Sequence, residues 1–182
     1  THNGRPLYLQ MAAIALHHEA ADGDLYPTTR TATDLLDAIL RHELLHHWPL
    51  ILNAQGAEDL EAALRRAVGL VTLTRGLDLA KESERELLLT VTDVPVDRVC
   101  EFQAALCALL PHEPGASELP PMQPDLLGER YLLLGGATPP ASGRANAFGT
   151  SPMEPFFNPV EFVKAAGILR SGALAEVLSL IL

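Results

Sequence analysis

Apolar residues recur three and four apart along most of the chain, and each run is bounded by glycine, proline, asparagine or aspartate. That pattern belongs to short amphipathic helices separated by turns. The first predicted helix runs from about Pro6 to Ala20, with Leu7, Met11, Ile14 and Ala15 on one face. Pro6 suits the first helical position, where its missing N–H costs nothing. Asp22-Gly23-Asp24 and Tyr26-Pro27 then break the chain into a loop. Thr33 is the expected N-cap of a second helix, Asp34 to about Trp48, with Asp34 and Asp37 favouring its N-terminal dipole. Its core stripe is Leu35, Leu36, Ile39, Leu40 and Leu44, and Pro49 should stop or kink it.

After Asn53-Ala54-Gln55-Gly56, a third helix is expected from Ala57 to about Leu73, acidic at its head and basic further along. A break at Arg75-Gly76 leads to a charged helix from Asp78 to Val91, and Asp93-Val94-Pro95 turns the chain into another, Val96 to Leu110. Val99, Phe102, Leu106 and Leu109 or Leu110 form the inner stripe of that helix, and Pro111 ends it. Leu119-Pro120-Pro121-Met122 reads as a short extended arm, followed by a helix from Asp125 to Leu134. Three helices followed by an extended arm is the order of a winged helix-turn-helix unit, and the connections also suit a plain bundle. From Gly135 to Pro159 the composition shifts to Gly, Pro, Ala, Ser and Asn, a linker composition. Two short apolar helices, Val160 to Leu169 and Ala173 to Leu182, close the sequence.

Composition narrows the class. With 182 residues and 48% apolar content the chain can bury a core, and its 5% of aromatic residues beside abundant Leu and Ala favours packed helices. A formal charge of −10, with Lys81 and Lys164 the only lysines, argues against a nucleic-acid binder. Cys100 and Cys107 lie one heptad apart, too far to bridge within one helix, and read as small buried apolar residues. No signal peptide or membrane-length apolar run is present, so a cytoplasmic protein with no membrane partner is expected. Thr1 is not an initiator methionine and Leu182 falls within an apolar run, which suggests a piece of a longer chain.

The chemically suggestive motif is His42-Glu43-Leu44-Leu45-His46, an H-E-x-x-H in a predicted helix. Two histidines four apart share a helical face and can hold zinc, while the glutamate activates the bound water. That makes a zinc-dependent metallopeptidase, with Glu43 catalytic and His42 and His46 as ligands, one reading of the chain. The extended metzincin form is absent, with Pro49 and Ile51 in that stretch, and only Glu58 or Glu61 stands as a third-ligand candidate. Otherwise the motif is a polar face on a helix whose leucines make core. No nucleophile elbow and no phosphate-binding loop occur, since Gly135-Gly136 is not followed by Lys-Ser or Lys-Thr.

Three stretches resemble the STAND NTPases, the signal-transduction ATPases with numerous domains that include NB-ARC regulators. Gly4-Arg5-Pro6-Leu7 is similar to the Gly-x-Pro-Leu turn that opens their helical lid. Leu35-Leu36-Asp37 through Arg41-His42-Glu43 to Trp48 is similar to a leucine-rich lid helix, and Met122-Gln123-Pro124-Asp125-Leu126-Leu127-Gly128-Glu129 to the segment carrying the family's Met-His-Asp. The resemblance covers about residues 4–134. It implies a mainly α fold, with a helical lid bundle over 1–53 and a winged-helix-like unit with a short extended arm over 57–134. A linker at 135–159 and the start of a truncated helical region at 160–182 would follow. It also implies that Gly4, Pro6 and Asp125 border ADP or ATP held by an upstream P-loop domain, with Pro6 on the adenine. Pro124 replaces the phosphate-sensing histidine, and Asp125 is otherwise a helix N-cap. The implied role is regulatory: the lid closes over nucleotide and controls oligomerisation, with no catalysis by this segment alone and self-association through an uncovered apolar face. A winged-helix DNA-binding regulator reading through the helix at 96–110 is the remaining alternative.

Overall fold

A computed structural model describes residues 32–110, 116–123 and 125–134. The expected helix at 6–20, the linker at 135–159 and the segments at 160–182 lie outside the described residues, as do Gly4 and Pro6. Helix α1 (Ala32–His42) passes through a π turn (Glu43–His47) into α2 (Trp48–Gln55). A 3-10 turn (Glu58–Leu60) leads into α3 (Glu61–Leu73), then strand β1 (Leu77–Asp78) and α4 (Glu82–Thr92). A second 3-10 turn (Val96–Arg98) opens α5 (Val99–Leu109), followed by strand β2 (Glu118–Leu119) and α6 (Asp125–Leu133). The described chain is therefore mostly helical with one two-stranded sheet.

Helix α3 is the hub. Ala63, Leu64, Ala67, Val68, Leu70 and Val71 are buried on several sides of it, which a helix reaches only at the centre of a bundle. It packs against α4, α5 and α6, while α1 rests on α6 and α2 on α5. One continuous core results, from Leu36 and Leu40 through Trp48 and Leu88 to Phe102 and Tyr131. None of the described helices is long and apolar enough to cross a membrane.

Several expected boundaries move, each for a local reason. Thr33 lies inside α1, which the described residues show from Ala32 onward, and not at its cap. Pro49 neither stops nor visibly breaks the helical run, which continues to Gln55 and ends on Gly56. At φ 62° Gly56 adopts the left-handed conformation that glycine takes without Cβ strain, and its N–H donates to the Asn53 carbonyl at 3.1 Å. The charged helix expected from Asp78 starts at Glu82 instead. Asp78 is held in the strand because its N–H donates to Glu84 Oε2 at 2.6 Å and the Leu79 N–H donates to the Ser117 carbonyl at 2.9 Å.

The two strands pair antiparallel, Leu77 opposite Leu119 and Asp78 opposite Glu118. Alternation then points both leucines into the core and both acids away from it. Cys100 is exposed, contrary to expectation, because it lies on the far side of α5 from the buried Phe102 and Leu106. Cys107 is half-buried, and burial pushes its thiol pKa up.

Candidate functional site

The H-E-x-x-H segment occupies the π turn and its leading residue. The Trp48 N–H donates to the Glu43 carbonyl, five residues back, which defines the widened turn. Pro49 follows at once. Its ring would crowd the carbonyl four residues back in a regular helix, and it has no N–H to give, so a wide turn just before it lets the helix continue. Leu44 faces the core at 2% exposure, while Leu45, His46 and His47 face outward.

Within this turn the rings of His42 and His46 lie 5.1 Å apart between centroids, with planes tilted by 39°. Glu43 Oε2 lies 2.7 Å from His47 Nδ1 and so is engaged with the neighbouring histidine. The structure thus brings His42 and His46 together and turns Glu43 to His47. Among the described residues, no three His, Cys, Asp or Glu side chains converge on a point that could hold a metal. Glu58 and Glu61 stand on the 3-10 turn and the head of α3, and Glu61 instead accepts from Arg65 at 2.7 Å.

Of the residues expected at a nucleotide, only Asp125 falls within the described chain, as the first residue of α6. Gly4, Pro6 and Pro124 lie outside it. Helix α6 is fixed by long-range contacts that sequence reading did not find. Arg130 forms a two-pronged ion pair with Asp37 of α1, Nε to Oδ1 at 2.6 Å and Nη2 to Oδ2 at 2.8 Å. That hydrogen-bonded carboxylate raises the already high pKa of Arg130. Next to it, the fully buried Tyr131 donates its hydroxyl to the Arg65 carbonyl at 3.0 Å. Its ring meets Trp48 at 6.0 Å, and the Arg65 guanidinium sits 5.8 Å over the Trp48 ring. In the sequence Asp37 is legible only as a dipole partner, since nothing local marks a pairing across so many residues.

A second clamp sits at the opposite end. Arg98 donates to both Asp59 oxygens, at 2.6 and 3.0 Å, and to the Gly56 carbonyl at 2.8 Å. It joins the head of α5 to the turn between α2 and α3. The Asp59 carboxylate is the main cause of an upward shift in the Arg98 pKa. On α5 itself, Glu101 Oε2 is buried with no hydrogen-bond partner, an acidic feature on the helix that a winged-helix DNA reader would use.

Comparison with known protein families, with curated proteins and with solved structures finds no match to this chain.

Proposed function

We propose that this chain is the regulatory lid and winged-helix part of a larger STAND-type ATPase. It would close over ADP or ATP held by an upstream P-loop domain and govern oligomerisation in signalling. The observation that carries the reading is the order of elements from 61 to 119: helix, short strand, helix, three-residue turn, helix, short strand, with the two strands paired. That order agrees with a winged helix-turn-helix unit. The Met122-Gln123-Pro124-Asp125 segment then leads directly into α6, with the Met122 N–H donating to Thr72 Oγ1 of α3 at 3.2 Å. On this reading the Asp37–Arg130 pair and the Trp48–Tyr131 contact join the lid helices to the winged-helix part. Nucleotide exchange would bias two arrangements of the whole unit relative to the P-loop domain.

The competing readings draw less support. As a DNA reader, α5 is poorly placed: it packs on both α2 and α3, carries Glu101, and has its Arg98 committed to Asp59. As a peptidase centre, the π turn has its glutamate engaged by His47 and no convergent third ligand among the described residues.

The test is fluorescent ADP binding by the parent polypeptide, comparing wild type with Pro6→Ala and Asp125→Ala. The reading expects a Gly-x4-Gly-Lys-Ser/Thr motif roughly 150–250 residues upstream, in line with usual domain size. It also expects weaker ADP binding in the Pro6 variant. A parent gene without that motif, or ADP affinity indifferent to both substitutions, would sink it.

A further inference from the structure

The nucleotide-switch reading leaves the histidine pair on the π turn unused. His42 and His46 present rings with centroids 5.1 Å apart and planes inclined by 39°. A separation of that size, also that of an ordinary ring contact, lets two imidazoles share one tetrahedral ion. A metal–nitrogen bond of ~2.1 Å plus about 1.1 Å from nitrogen to ring centre, opened to the tetrahedral angle, places the centres roughly 5 Å apart.

The backbone beneath the rings is held. Leu44 is anchored in the core at 2% exposure, and helices continue on both sides of the turn through buried Leu40 and Trp48. Chelation therefore requires ordering of two side chains and no ordering of main chain. His46 is exposed and His42 half-buried, so an ion can reach the pair from solvent.

We propose that His42 and His46 form a two-histidine clamp for a borderline divalent transition ion, Zn2+, Ni2+ or Cu2+. The remaining coordination positions stay open to water or to a ligand on another molecule. Imidazole nitrogens select this class over Mg2+ and Ca2+, which prefer oxygen. Two protein ligands place the affinity on the order of micromolar, well short of a closed four-ligand structural site. The clamp is not a hydrolytic centre, since Glu43 is engaged by His47 and no third ligand converges among the described residues. It stands independently of the nucleotide-switch reading.

The experiment is calorimetric titration of the full chain with zinc sulfate or nickel chloride, after removal of metal with EDTA, in a non-chelating buffer. The sequence holds seven histidines, so the comparison of variants decides, not binding as such. The clamp predicts micromolar binding that weakens at least about tenfold in both His42→Ala and His46→Ala. It predicts little change in His47→Ala, whose ring faces Glu43 instead. Nitrogen hyperfine splitting in the Cu2+ spectrum should show two histidines in wild type and one in the His46 variant. Absence of micromolar binding, survival of full affinity in His46→Ala, or equal loss in His47→Ala overturns the clamp. Far-UV circular dichroism checks that each variant folds, and His46→Gln, which keeps a helix-compatible side chain, replaces any alanine variant that does not.

Discussion

Replacing Gly128 by alanine sets helix propensity against packing. In the interior of an exposed helix, alanine is about 1 kcal/mol more favourable than glycine, so propensity alone predicts a gain. Gly128 lies within α6, and α6 packs on α3. A Cβ at this position would sit 2.8 Å from Thr72 Cγ2 and 3.1 Å from the Met122 carbonyl oxygen. Ordinary carbon–carbon contact lies at about 3.5–4.0 Å, so one partner must yield by most of an ångström. Neither does so freely. Thr72 Oγ1 accepts the Met122 N–H at 3.2 Å, which fixes its rotamer, and the carbonyl is main chain.

Overpacking of this kind costs about 1–3 kcal/mol, and a rigid main-chain neighbour favours the upper part of that range. After the propensity gain, Gly128→Ala should lose about 1–2 kcal/mol. Urea denaturation followed by far-UV circular dichroism would show it as a lower midpoint at unchanged slope. Adding Thr72→Ser should restore part of the loss, because serine lacks the clashing methyl and keeps the hydroxyl acceptor. A Gly128→Ala protein as stable as wild type, or more so, would refute the close approach of α6 to α3.

The Asp37–Arg130 pair, with side chains 17% and 24% exposed, lies between surface and core. A double-mutant cycle with Asp37→Asn and Arg130→Met should give a coupling of about 1–3 kcal/mol, between surface and buried values, and a coupling near zero would mean the pair does not hold α6 to α1. The Asp78 carboxyl is held below its ordinary value of 3.8, first by the Ser117 hydroxyl and then by the Ala80 N–H. Its stabilising effect is therefore complete above that ordinary value and lost as pH falls through the lowered one, so the deficit of Ser117→Ala should shrink between about pH 5 and pH 2. A pH-independent deficit there would contradict the assignment. Burial raises the Tyr131 phenol well above its ordinary value of 10.0. A raised folded value means stability that is intact below the ordinary value and lost as pH climbs through the raised one. Alkaline unfolding should thus be steeper in wild type than in Tyr131→Phe, and parallel profiles would rule this out.

Local hydrophobic periodicity was enough to show that the described chain is mostly helical, and roughly where the helices lie. Phe102 and Leu106 mark the inner stripe of α5, and Leu36 and Leu40 that of α1, continued by Leu44 in the π turn, because periodicity at helical spacing is written within a few residues. The continuation past Pro49 was less legible, although a trace of it exists. The buried series Leu36, Leu40, Leu44, Trp48 and Leu52 keeps a spacing of four, which drifts by about 40° per step on a 3.6-residue helix. The widened turn at Glu43–His47 takes up part of that drift, so one face stays buried across the proline.

The remaining features depend on how the helices pack. Whether Cys100 was core or surface depended on which side of α5 met α2 and α3. Asp37 reads locally as a dipole partner and Gly128 as a weak helix former, and each acquired its role from a helix brought in from far along the chain. The histidine motif was visible at once, but the direction in which Glu43 turned was not. Spacing fixes which side chains can share a face, and packing then fixes which of them meet.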